Sequence, residues 1–192
     1  MRFRSKQIHA GVTPDPTTGA ILTPIFQSTT FVQDSVDSYL EKGYSYSRSG
    51  NPTVRSLEIK LAELEEGYDA TCYGTGMSAV TCTMLAFLSA GEHAIISDVA
   101  YGGTYRLCTK VLSRFGVDFT FADTSNPDQV KESVRKNTKL FLTETPANPT
   151  MKISDISAIS EIAKNADAVH VVDNTLITPR FQRALELGAD LS

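Results

Sequence analysis

The sequence predicts an α/β domain: a mostly parallel sheet with helices on both faces, preceded by an extended N-terminal arm. Three observations carry this. Helix-like and strand-like segments alternate from residue 52 onward. Strand-like segments such as "HAIIS" and "AVHVV" show little polar alternation, as expected of strands covered on both sides. Residues 11–31 carry Pro14, Pro16 and Pro24 among many threonines, which forbids a regular element there.

Within that arm, Ile21, Leu22, Ile25, Phe26 and Phe31 are too apolar for a free tail. An extended segment laid on another surface, of this chain or of a second subunit, reconciles the two facts. Next, Leu57, Leu61 and Leu64 fall at helical spacing, with Pro52 at the start and Gly67 at the end. Residues 69–73 read as a short strand and 76–90 as an apolar helix closed by Gly91. Strands follow at 93–97, 117–122, 139–144 and 168–173. Between them the pattern predicts helices at 103–115, 127–136 and 154–165, the second introduced by Asn126-Pro127. A helix at 180–187 closes on Gly188, and "ADLS" reads as another strand beginning.

Composition narrows the function. The chain has 192 residues, 41% hydrophobic and 21% charged, ordinary for a soluble globular protein. Its net charge of −4 gives nucleic-acid binding no electrostatic support. The apolar run at 79–90 is short and broken by Thr81, Thr83 and Ser89, so no membrane span is predicted. "MRFRSKQIHAG" has basic residues but no apolar core of a secretory signal. Cys72, Cys82 and Cys108 are odd in number and lack CxxC spacing. They predict neither a disulfide framework nor a zinc site, and they fit a reducing cytosol.

In sheets of this kind ligands bind beyond the carboxyl ends of the strands. "GTGMSA" (74–79) opens a helix there, where free N–H groups and the helix dipole attract anions; a tight turn without ligand is the plainer reading. It is neither a Walker loop nor GxGxxG. "YGGT" puts Tyr101 before two glycines, where its ring is free to lie flat on a ring ligand or simply to pack. Arg106, one turn on, suits a carboxylate, although a surface arginine is the commoner outcome. "ETPANPT" holds Glu144 and Asn148 in a proline-bounded turn; Asn148 either caps it or bonds a ligand. Asp173 ends an apolar strand, either as a cap or as partner to a buried cation on a ligand. His170 reads as a packed core histidine, and neither a Ser–His–Asp set nor a metal cluster stands out. Taken together, an anion at a helix start, a stacked ring, a hydrogen-bonded ring oxygen and a carboxylate at a ring nitrogen describe pyridoxal phosphate (PLP).

"PIFQSTTF", "YSYSRSGNPT", "GTGMSA", "YGGT", "ETPANPT" and "VVDNT" resemble, in order and spacing, the Cys/Met-metabolism family of fold-type-I PLP enzymes. That family includes cystathionine γ-synthase, cystathionine γ-lyase and methionine γ-lyase. The resemblance covers essentially the whole chain. It implies residues 1–51 as arm and cross-subunit loop and 52–192 as PLP-binding domain. It implies that Tyr46 and Arg48 reach the PLP phosphate of a neighbouring subunit, and that Gly76 and Met77 offer N–H groups to the phosphate in their own. Tyr101 would stack on the ring and aid proton transfer. Arg106 would bind substrate, Asn148 would approach the ring hydroxyl and Asp173 would pair with the ring nitrogen.

The implied protein is a cytoplasmic homo-oligomer, a dimer of dimers with shared active sites, eliminating or replacing a β- or γ-substituent of a sulfur amino acid. Gly103 resembles the cystathionine enzymes, since methionine γ-lyases typically carry Cys there; O-acetylhomoserine sulfhydrylase stays open. Thr75 and Leu176 depart from the family's usual serine and aromatic residue. The lysine that carries PLP as a Schiff base is expected a few residues beyond Ser192, followed by a C-terminal domain. The 192 residues alone are therefore expected to be inactive. A nucleotide-binding α/β protein using "GTGMSA" is the remaining alternative.

Overall fold

Alternation along the strands sets the architecture. The computed structural model describes residues 1–37 and 43–192, and the stretch of the predicted arm at 38–42 lies outside the described residues. Two compact units result, Met1–Cys72 and Tyr73–Ser192.

The second unit is a parallel four-stranded sheet in the order β2-β1-β3-β4. Its strands are β1 (His93–Ser97), β2 (Asp118–Ala122), β3 (Thr138–Glu144) and β4 (Val169–Asp173). Successive side chains leave opposite faces. Ala94, Ile96, Leu140 and Leu142 therefore pack on one face, with Met84, Leu107, Cys108 and Leu112. Ile95 and Phe141 pack on the other, with Val130, Ile159 and Ala163. The first set of helical residues belongs to α3 (Gly76–Phe87) and the winding at 102–115; the second to α5 (Pro127–Glu132) and α6 (Ile156–Asn165). Leu191 lies parallel beside Val171, with the Val172 N–H on its carbonyl at 2.9 Å, so the predicted start of a further strand is present.

His170 is fully buried in β4 and bonded to the hydroxyls of Thr143 (2.9 Å) and Ser160 (2.8 Å). Burial pushes its pKa down to about 4, so it stays neutral, as a core histidine should. His93 in β1 is held likewise by Thr138 and Thr120, and its pKa too falls to about 4, chiefly through burial.

Three predicted elements differ in kind, and the helices expected at 76–90 and 127–136 end earlier, at Phe87 and Glu132. The helix expected at 103–115 winds as α4 (Gly102–Arg106), a π turn (Leu107–Val111) and a 3-10 turn (Leu112–Phe115). The helix expected at 180–187 is instead α7 (Thr178–Phe181) and a 3-10 turn (Leu185–Leu187). Gln182 is extended between them, its carbonyl taken by the Asn174 side chain at 3.3 Å. Residues 69–73 are not a strand. A strand needs a backbone neighbour, and the Cys72 N–H bonds the Glu58 side chain instead, at 2.9 Å.

The first unit contains a helix the proline-rich arm did not suggest, α1 (Phe3–His9). Lys6 ties it to Glu66 at 2.7 Å. Gly11 follows with φ +67°, and a Cβ there would run into the Ser56 carbonyl oxygen. Helix α2 (Pro52–Glu65) starts as predicted: Asn51 caps it through the Thr53 N–H, with Pro52 at its first position. Its leucine stripe is largely uncovered, Leu57 at 48% and Leu61 at 37% exposed, while Ala62 is buried.

Candidate active site

The loop that the sequence analysis assigns to a phosphate, in the first unit, is well braced. Residues 45–47 pair antiparallel with 29–31, through Phe31 N–H to Ser45 O (3.0 Å) and Ser47 N–H to Thr29 O (2.8 Å). The Ser47 hydroxyl bonds Ser28 O, and Asn51 bonds both Phe26 O and the Ser47 hydroxyl. On this frame the Arg48 guanidinium lies 5.3 Å from the centre of the Tyr46 ring and donates to the Tyr46 hydroxyl at 3.2 Å. Both side chains are exposed, so a planar cation and a phenol are presented together.

In the second unit Tyr101, Asn148 and Asp173 lie at or just beyond the carboxyl ends of strands, Gly76 and Met77 open α3, and Arg106 lies in α4. Thr75 caps α3, accepting the Ser78 N–H at 3.0 Å. The N–H groups of Gly76 and Met77 have no acceptor among the described residues and face outward at the positive end of the helix. Space around Gly74 and Gly76 is open within 4 Å of where a Cβ would stand.

Tyr101 leaves the end of β1 with its ring against Gly103. A Cβ on Gly103 would come within 2.6 Å of the Tyr101 ring and 2.7 Å of the Met77 sulfur, so the glycine creates the seat for both. Half of the Tyr101 surface stays exposed. Arg106, one turn along α4, is exposed and has no ion-pair partner among the described residues.

Glu144 and Asp173 stand opposite one another at the ends of β3 and β4. The Asp173 carboxylate accepts the Thr175 hydroxyl at 2.6 Å and N–H at 3.2 Å, both on Oδ1. Glu144 is buried; its Oε2 accepts the Tyr101 N–H at 2.6 Å and its Oε1 the Asn148 N–H at 2.9 Å. The backbone N–H groups of Tyr101 and Asn148, distant in the sequence, thus meet on one carboxylate, Asp173 is the register partner of Glu144 on β4, and Met77 and Tyr101 both lie against Gly103.

Beneath lies a buried hydroxyl chain: Ser97 to Thr124 (2.8 Å), Thr124 to Ser154 (2.7 Å), and the Ser154 N–H to Thr145 (3.0 Å). Beside it Lys152 bridges Asp98 (2.9 Å) and Asp123 (2.7 Å), and it holds the Asp123 pKa at about 2. The sequence pattern ends the strand 139–144 on Glu144 and opens a proline-bounded turn there, and it gives Thr175 no role. A charge ending an apolar strand was the signal available for Glu144, as it was for Asp173.

Among the described residues no helix is long and apolar enough to cross a membrane, and no group of three or more His, Cys, Asp or Glu is placed to hold a metal.

The crystal structure of cystathionine γ-lyase from Lactobacillus plantarum complexed with L-serine superposes with a TM-score of 0.94 at 38% identity, covering 100% of this chain and 49% of that one. The fold is therefore that of about half of a fold-type-I PLP-dependent enzyme chain. The family description "Cys/Met metabolism PLP-dependent enzyme" matches residues 4–192, and the chain belongs to that family. Cystathionine γ-lyase of Bacillus subtilis (strain 168) is 44% identical over 100% of this chain and 50% of its own length. L-methionine γ-lyase of Treponema denticola is 45% identical over 98% of this chain and 49% of its own. The chain thus spans about half the length of the curated relatives it matches.

The residues present fit PLP by the chemistry of their donors. Free N–H groups at a helix start suit its phosphate, a ring face seated on glycine suits its pyridine, and a hydroxyl-oriented carboxylate suits its ring nitrogen.

Proposed function

We propose that this chain supplies the PLP-binding half of an enzyme that eliminates or replaces a β- or γ-substituent of a sulfur amino acid, of the cystathionine γ-lyase or γ-synthase type. The observation that carries this reading is that the Tyr101 and Asn148 N–H groups share the Glu144 carboxylate while Asp173 stands next to Glu144 in the sheet register. When bound, PLP draws electron density from the substrate's Cα into its ring. Asp173, oriented by Thr175, keeps the proton on the ring nitrogen that makes the ring an electron sink. Tyr101 stacks on the ring and aids proton transfer at the substrate, and Asn148 bonds the ring hydroxyl. Gly76 and Met77 give N–H groups to the phosphate, and Arg106 receives the substrate carboxylate.

Tyr46 and Arg48 bind the phosphate of a second subunit. Their exposure, and the uncovered arm residues Ile21 (75%), Leu22 (69%) and Ile25 (79%), support a subunit contact and a homo-oligomer. The arm and loop at 1–51 then serve the partner's site, and 52–192 hold the cofactor of their own. The cytoplasm is the proposed location. Activity is proposed of the whole protein, because the chain spans about half the length of the curated relatives it matches.

By the resemblance, Gly103 favours cystathionine chemistry over methionine γ-elimination, because methionine γ-lyases typically carry Cys there; in this chain a Cβ at that place would meet the Tyr101 ring and the Met77 thioether. Identity does not separate the two reactions, given the close values for the lyases of each kind. The test is turnover of cystathionine against methionine by the whole protein with PLP. A higher kcat/KM on cystathionine, or γ-replacement that forms it, supports the reading; preference for methionine refutes the assignment from Gly103.

A further inference from the structure

Resting on the reading that Tyr101 and Asn148 face the PLP ring, we propose that Glu144 is a positioning residue that clamps those two groups to one spacing. Tyr101 lies on the segment after β1, and Asn148 on the turn after β3. These segments leave neighbouring strands, and Lys152 ties the second to Asp98 at the start of the first, at 2.9 Å. A single carboxylate joins them, with one oxygen for each N–H, at 2.6 and 2.9 Å.

Its stem is fixed in turn. The Glu144 N–H bonds the Ser97 hydroxyl at 3.0 Å, and the side chain is only 8% exposed. Burial of a charge at that place is costly unless it is fully hydrogen-bonded. The two N–H donors meet that cost, and neither segment is able to withdraw without leaving the carboxylate short of a partner.

The carboxylate is required by chemistry as well as by shape. Both donors are N–H groups, so the clamp needs two acceptors. A glutamine of the same size has one acceptor and one NH₂, and its NH₂ would face an N–H. One of the two segments would then be released. Glu144 therefore acts on the cofactor through Tyr101 and Asn148, without touching it.

The test compares four forms of the whole protein: wild type, Glu144→Gln, Tyr101→Ala and the double variant. Ser154→Ala serves as control, because it breaks a buried bond of the same strand-end network without touching the clamp. PLP is titrated, and both its dissociation constant and the visible circular dichroism of the bound cofactor are read. Glu144→Gln is expected to keep the wild-type fold by far-UV circular dichroism and to weaken PLP about tenfold, the loss of one hydrogen bond. Its cofactor dichroism band should shrink, while Ser154→Ala matches wild type in both readouts. In the Tyr101→Ala background the Glu144→Gln loss should fall to about half or less, because the two act as one unit.

Wild-type affinity and dichroism in Glu144→Gln overturn the clamp while leaving the cofactor reading intact. So does strict additivity with Tyr101→Ala, or an equal loss in Ser154→Ala. A wild-type protein that binds no PLP overturns the cofactor reading and the clamp with it.

Discussion

Asp173 shows how one residue's role follows from its surroundings. Its carboxylate sits half-buried at a strand end and is oriented by the Thr175 hydroxyl at 2.6 Å, so it is aimed before any ligand arrives. Asp173→Asn in the whole protein is expected to leave PLP bound and to lower turnover about 10²–10³-fold, the usual effect of losing one preorganised electrostatic partner. Near-normal turnover, measured with cofactor content matched, would count against the assignment. Arg48 presents a charge-assisted donor beside the Tyr46 phenol. Arg48→Ala should weaken PLP about 10- to 100-fold without shifting the melting temperature; unchanged cofactor affinity contradicts the phosphate role. His170 bears on stability rather than chemistry. Its folded pKa of about 4 lies below the ordinary 6.5, so between those values the unfolded chain takes up protons that the folded chain refuses. Stability is full above about 6.5 and falls as pH drops toward about 4, with His93 acting in the same direction. Urea midpoints measured across that window check the sign, and a midpoint that rises on acidification refutes it.

At the scale of elements, the strands were the most legible part of the sequence. "HAIIS" and "KLFLTE" are apolar on both faces because both faces carry helices, and their bounds follow from that pattern. Helix starts were legible where a cap is local, as with Asn51-Pro52 and Asn126-Pro127. Elements that depend on distant partners were not. Residues 69–73 have strand-like composition but no backbone neighbour, and the segment at 182 is pulled straight by Asn174, eight positions earlier. The places of Asp173 at a strand end and Gly76 at a helix start were readable from an apolar run and from glycines. Glu144 was seen, but its bonds to Tyr101 and Asn148 depend on loops that come together only in the fold. The start of α3 gives a prediction at this scale. Thr75→Ala removes the acceptor for the Ser78 N–H and should cost about 1 kcal/mol of stability, read by thermal or urea unfolding. A stabilised or unchanged variant would show that the cap contributes nothing.

On the scale of the whole molecule, the first unit offers apolar surface that its own core does not use. Ile21, Leu22 and Ile25 of the arm and Leu57 of α2 are largely exposed. If a second subunit covers the arm, Ile25→Asp should shift the whole protein toward smaller species in sedimentation, and an unchanged distribution would argue that the arm is free. The account stands on a site assembled by two subunits, one giving Asp173 and Tyr101 and the other Arg48 and Tyr46. Subunit mixing tests it most directly. Arg48→Ala and Asp173→Asn forms of the whole protein are mixed, allowed to exchange subunits and assayed at a PLP concentration that saturates wild type but leaves the Arg48→Ala form largely without cofactor. A shared site predicts recovery of about a quarter of wild-type activity, because half of the pairs are hybrids with one intact site each. No recovery above the two separate forms, once exchange is demonstrated, would contradict it.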